Sequence, residues 1–140
     1  MPEAIFTGHV NHNELCTLYA SSDYFLFTST TETYGNVITE AMASGTPCII
    51  ANGGGSRSLV KEGITGYLCD PKDADDFLNK ILLLEAYPES RELMIKNALE
   101  DAGTLNWDTL VHRLQNEISR LSQDSSSVSY SHSHYKLVVA

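Results

Sequence analysis

Basic residues are scarce in this chain. Nine Lys plus Arg stand against 18 Asp plus Glu, a formal net charge of −9 over 140 residues. A surface this acidic repels phosphate backbones and anionic headgroups, which argues against nucleic acid or a charged membrane as partner. No apolar run is long enough to cross a bilayer. Met1-Pro2-Glu3-Ala4 brings neither a basic segment nor a long apolar stretch, so it does not read as a signal peptide. Cysteine is sparse as well, with only Cys16, Cys48 and Cys69, each inside an apolar segment. The odd count points to reduced, packed thiols and a cytoplasmic setting, with a redox or metal use as the minor alternative. His9-x-x-His12 and His132-x-His134 lack further ligands at metal-binding spacing, so no metal site is expected.

What is present is an ordinary globular composition, 42% apolar and 19% charged, in a length that holds one domain with a core. Ala4-Ile5-Phe6-Thr7 reads as a strand closed by Gly8. Asn11-x-x-Glu14 has the form of a capping box ahead of Leu15, Leu18 and Tyr19. Tyr24 to Thr28 is apolar on both faces, the pattern of a buried parallel strand. A helix is predicted from Gly35 to a left-handed cap at Gly45, then a strand over Pro47 to Ala51 and a loop at Gly53-Gly54-Gly55. A short helix over Arg57 to Glu62 precedes a strand at Tyr67 to Cys69. Asp73 caps an amphipathic helix bearing Phe77, Leu78, Ile81 and Leu82. Beyond Pro88 comes a weaker helix with Leu93, Met94 and Ala98. A last helix carries Trp107, Leu110, Val111, Leu114, Ile118 and Leu121 on one face. From Ser122 the composition turns serine-rich, as a disordered tail would. The alternation predicts an α/β, Rossmann-like parallel sheet with flanking helices over residues 1–121, and a tail over 122–140.

The chemistry concentrates in Thr31-Glu32-Thr33-Tyr34-Gly35-Asn36-Val37-Ile38-Thr39-Glu40, followed by Ala41-Met42-Ala43-Ser44-Gly45. A strand, a glycine turn and a helix start place free N–H groups and the positive helix end at one point, where an anion is welcome. Glu40, four residues after Asn36, lies on the same helix face and suits a pair of neighbouring hydroxyls such as a ribose diol. Glu32 lies on the other side of that point. Taken alone, two such glutamates read far more readily as solvated carboxylates, and it is the flanking sequence that reverses this. Ser29-Thr30-Thr31 makes a polar mouth, and the small residues Ala41 to Gly45 let the helix pack closely. Arg57 and Lys61 are a charge near the second loop or simply a solvated face.

The Glu-x7-Glu spacing in this setting closely resembles the signature of retaining nucleotide-sugar glycosyltransferases of the GT-B family 4 (group 1) type. The likeness runs from Phe6 to about Leu114. It takes in Phe6-Thr7-Gly8, Leu18 to Asp23, the Gly54-Gly55 loop, Gly63-x-x-Gly66 and Trp107. It implies that Glu32, as catalytic residue, meets the donor sugar and that Glu40 holds the ribose. It also implies that the backbone of Tyr34, Gly35, Asn36 and Val37 meets the diphosphate. Ser29, Thr33, Gly54 and Gly55 complete the donor-binding set. The donor would be a UDP- or GDP-sugar, with no cofactor and no obligatory metal. The resemblance further implies a partial C-terminal half of a GT-B enzyme, lacking an N-terminal acceptor domain, the first two βα units and their basic pair. Such a chain is expected to be inactive alone. The alternatives are a non-catalytic nucleotide-binding or regulatory fragment, or a GT-B nucleotide-sugar epimerase relative.

Overall fold

A computed structural model describes residues 4–104, 111–112, 115–116 and 118–120. The chain divides into two units, Met1–Thr104 and Leu105–Ala140. In the second unit the described residues are helical. Trp107, Leu110, Leu114, Leu121 and the serine-rich stretch lie outside the described residues.

The first unit runs α1 (His12–Ser21), β1 (Phe25–Phe27), α2 (Asn36–Ala43), β2 (Cys48–Ala51), a 3₁₀ turn (Ser56–Leu59), β3 (Gly66–Cys69), α3 (Ala74–Ala86) and α4 (Pro88–Thr104). The strands form one parallel sheet in the order β1-β2-β3, with Leu26 opposite Ile49 and Ile49 opposite Tyr67. This is the α/β layer that the alternation predicts. The capping box is also present: Asn11 Oδ1 accepts from Glu14 N–H at 3.0 Å, and Glu14 Oε2 accepts from Asn11 N–H at 3.1 Å. α2 stops where Gly45 turns left-handed at φ 78°. Gly45 N–H then reaches the Met42 carbonyl at 3.1 Å, and Thr46 N–H reaches that of Ala41 at 3.0 Å.

Side-chain alternation splits the core into two faces. Phe25, Phe27, Cys48, Ile50 and Leu68 meet Ile38, Ala41 and Met42 of α2 on one face. Ile49, Tyr67 and Cys69 meet Phe77, Ile81 and Leu84 of α3 on the other. α4 joins them, since Met94 packs on the second face and Ala98 on the first. Ile38, Ile49 and Ile50 are fully buried, and each such side chain contributes roughly 1.5–3 kcal/mol. The three cysteines are free. Burial pushes the Cys48 thiol up to about 12. Burial, then the Asp76 carboxylate, pushes that of Cys69 up to about 11.

Four expectations need correction. Ile5-Phe6-Thr7 is not a strand, and Ile5 and Phe6 are 88% and 94% exposed. An extended segment is held only by a neighbouring strand, and none lies beside it among the described residues. β1 is not buried on both faces: Leu26 is 48% exposed on the edge strand of the described sheet. Leu26 and Thr28 therefore line an open groove with Phe77, Leu78 and Ile81. The Arg57–Glu62 helix shrinks to the Ser56–Leu59 turn, since Val60 is extended and Glu62 bridges to Gly66. Gly35 is the cap of α2 and not its first residue.

Candidate functional site

In an open parallel sheet, ligands bind beyond the carboxyl ends of the strands. Here the loops leaving β1 (residues 28–35) and β2 (residues 52–55) meet at the N-terminus of α2. Gly35, at φ 90° and ψ 55°, brings no side-chain oxygen to cap the helix, and the first turn holds no acid. Ile38 N–H turns to the Gly35 carbonyl at 3.0 Å, while Asn36 and Val37 N–H meet no backbone acceptor among the described residues. The helix thus keeps bare donors and its full positive end at this edge.

The two loops touch backbone to backbone. Gly55 N–H donates to the Glu32 carbonyl at 3.0 Å. A Cβ at Gly53 would sit 2.9 Å from Thr30 Cγ2, and one at Gly54 would sit 2.6 Å from the Thr30 carbonyl oxygen. A Cβ at Gly55 would overlap the Thr33 carbonyl oxygen outright. Buried Ser56 lies under this seam, donating from Oγ to the Gly53 carbonyl at 3.3 Å. A Cβ at Gly35 would approach both Ser56 Cβ and Ile38 Cδ1 to 3.1 Å.

Around this point stand the residues singled out from sequence. Ser29 is half-buried, with its Oγ 3.3 Å from Thr31 Oγ1. Glu32, Thr33, Tyr34 and Asn36 are exposed, Gly35 is buried, and Val37 packs on the α2 face of the core. Glu40 is half-buried. Its charge is felt by Tyr19 of α1, whose phenol is raised by burial first and then by the Glu40 carboxylate. Ion pairs among the described residues include Lys61–Asp101 at 2.6 Å, Lys80–Glu62 at 3.0 Å and Arg91–Asp23 at 3.2 Å. None of them engages Glu32 or Glu40, so both carboxylates stay available as acceptors. Lys61 is consumed by Asp101, whereas Arg57 of the 3₁₀ turn enters none of these pairs. Among the described residues no three His, Cys, Asp or Glu converge on a metal position.

One donor cluster, the α2 N-terminus, thus follows the loop that bears Glu32, and Glu40 lies further along the same helix. That helix end can accept an anion. Sequence reasoning overlooked Gly53 and Ser56 as parts of this edge. The signal was there in the third glycine, one more than a two-residue turn requires.

Residues 2–101 match the family described as glycosyl transferases group 1. The chain is 38% identical over 117 residues to the sulfoquinovosyl transferase SQD2 of Arabidopsis thaliana, covering 81% of this chain and 23% of that one. It is 45% identical over 78 residues to a GDP-mannose-dependent alpha-mannosyltransferase of Corynebacterium glutamicum, covering 56% of this chain and 19% of the relative. Among solved structures, HepE of Anabaena in complex with UDP-glucose superposes with a TM-score of 0.65 at 29% identity, over 78% of this chain and 30% of that one. The chain therefore spans 23% and 19% of the length of these two curated relatives.

Proposed function

The chain belongs to the group 1 glycosyl transferases, and on that premise we propose that it is the donor-binding part of a retaining glycosyltransferase using a nucleoside-diphospho-sugar. The observation that carries this reading is the uncapped, acid-free N-terminus of α2. A diphosphate supplies what that helix end lacks. Its oxygens accept from the Asn36 and Val37 N–H groups, and its charge meets the positive helix end. On one side Glu40 accepts from the two ribose hydroxyls. On the other Glu32 accepts from hydroxyls of the sugar and faces the carbon that reacts. Backbone donors already in place cost no reorganisation as charge builds on the leaving diphosphate. During transfer the sugar–phosphate C–O bond breaks, a C–O bond to an acceptor hydroxyl forms, and the hydroxyl proton leaves with the diphosphate.

Both uridine and guanosine donors are compatible, since HepE is solved with UDP-glucose and the Corynebacterium relative is GDP-mannose-dependent. We assign no resident cofactor and no metal, so EDTA should leave nucleotide binding unchanged. Three free thiols accord with a reducing, cytoplasmic setting. No described helix is long and apolar enough to cross a membrane.

An NMR titration of the chain with UDP and with GDP tests this reading. One nucleotide should shift the Tyr34 to Val37 amides, and Glu40→Ala should weaken that response by about tenfold or more. Shifts confined to other elements would sink the proposal. A second reading is a non-catalytic nucleotide-binding fragment. Glycosyl transfer recovered on adding a separately expressed acceptor domain would exclude it. The acceptor itself is left unassigned.

A further inference from the structure

We propose that Gly53, Gly54 and Gly55 are positioning residues whose bare backbone clamps the Glu32 loop beside the α2 N-terminus, so that sugar and diphosphate are held in one register. The inference rests on reading Glu32 as the sugar-facing carboxylate. Each of these consecutive glycines aims its missing Cβ at the same short stretch, Thr30 to Thr33. Local turn geometry does not explain the run. Only Gly54, at φ 63°, is left-handed. Gly55, at φ −73° and ψ −28°, adopts a conformation open to any residue, and Gly53 has no left-handed φ either. Their bareness answers the neighbouring backbone, which comes closer than a side chain allows.

The seam is built around one hydrogen bond, Gly55 N–H to the Glu32 carbonyl at 3.0 Å. It is closed from beneath by buried Ser56, which bonds Gly53 and abuts Gly35. No ion pair holds the Glu32 side chain among the described residues. Its carboxylate is therefore placed by its backbone, and that backbone is placed by the glycines. The same seam reaches Gly35, the cap of α2. Sugar-facing and diphosphate-facing groups are in this way tied into one unit instead of sitting on two independent loops.

The test is calorimetric titration of the full chain with UDP and UDP-glucose, and with GDP and GDP-mannose, alongside amide hydrogen exchange. In the wild type the sugar nucleotide should bind more tightly than the bare nucleotide, and the Gly55 amide should be protected. Gly55→Ala should cut that preference by about tenfold, with bare-nucleotide affinity falling by a smaller factor. The amides of Glu32 to Tyr34 should shift at the same time. Gly103→Ala, whose Cβ would meet nothing within 4 Å, should change neither. Gly53→Ala should act more mildly and be partly rescued by Thr30→Ser, which removes the Cγ2 at 2.9 Å and leaves Thr30 Cβ at 3.1 Å. That pair decides the matter if Gly55→Ala does not fold. An unchanged preference in Gly55→Ala, or a Gly55 amide exchanging at open-loop rates, overturns the clamp. If neither nucleotide binds the wild type, it is the nucleotide-sugar reading that fails. The Gly55 exchange rate and the Glu32 shifts still decide the clamp.

Discussion

Helices α2 and α3 lie on opposite faces of the same sheet and begin in opposite ways. The Asp73 carboxylate closes α3, accepting from Asp75 and Asp76 N–H at 2.9 and 3.3 Å, and those two acids add charge to its first turn. α2 begins on a left-handed glycine with no side-chain cap and no acid. A glycine cap is weaker than an Asp cap by only a few tenths of a kcal/mol, about 0.3, so what α2 forgoes is chiefly a partner for its donors and not stability. The difference is what the proposed donor site rests on. α3 has answered two of its orphan donors through Asp73, while α2 leaves its own bare at the carboxyl edge of the sheet.

Substitutions that exchange the two kinds of helix start put this contrast at risk. Gly35→Ala should have the largest effect, because it forces a side chain into φ 90° and into 3.1 Å approaches to Ile38 and Ser56. Urea unfolding should show a loss of about 2–3 kcal/mol, and the UDP or GDP response at Tyr34 to Val37 should disappear. Asp73→Ala should cost about 1 kcal/mol in the same assay and leave nucleotide affinity untouched. A change in affinity there would mean that the two helix ends are not independent. Asn36→Asp makes α2 resemble α3, and its two effects should have opposite signs. The free chain should gain about 0.3–1 kcal/mol, whereas nucleotide binding should weaken, because the new carboxylate meets the diphosphate.

The smallest effect at neutral pH concerns the faces and not the ends. Cys48 on the α2 face and Cys69 on the α3 face are both raised above their ordinary value of 9.0. A raised thiol contributes stability that is whole below the unfolded value and is lost as pH climbs through the folded one. Stability should therefore decline from pH 9.0 upward, through about 11 for Cys69 and about 12 for Cys48. At pH 8 a thiol reagent should modify half-buried Cys16 first and reach the other two only on unfolding. Rapid reaction of Cys48 would show that the α2 face is not closed.

Much of this was readable along the chain wherever a residue acts on its immediate neighbours. Asn11 with Glu14, Asp73 with the turn after it, and Gly45 at the end of α2 all behave as their spacing predicts, because capping is settled within a few residues. The strand–turn–helix around Gly35 follows from the same local rules. What went astray depended on partners. Ile5-Phe6-Thr7 has the composition of a strand but, among the described residues, no strand to pair with. Leu26 looks like core and is half exposed, because among the described residues it lines an open groove beside α3. Arg57 to Glu62 has helical spacing, yet Val60 is drawn into extended backbone as the chain returns to β3. Lys61, a candidate counter-charge from sequence, is taken by Asp101 forty residues on.

By itself, the sequence determined the α/β alternation, the caps, and the bare glycine start of α2 between two glutamates. Each of these is fixed by interactions within a turn or two of the chain. Only the tertiary structure decided that the loop after β2 would lie against the loop after β1, with Gly53, Gly54 and Gly55 pressed on Thr30 to Thr33. That contact is a meeting of backbones from separate strands. No side-chain pattern encodes it, and its one trace in the sequence is the absence of side chains where they would not fit.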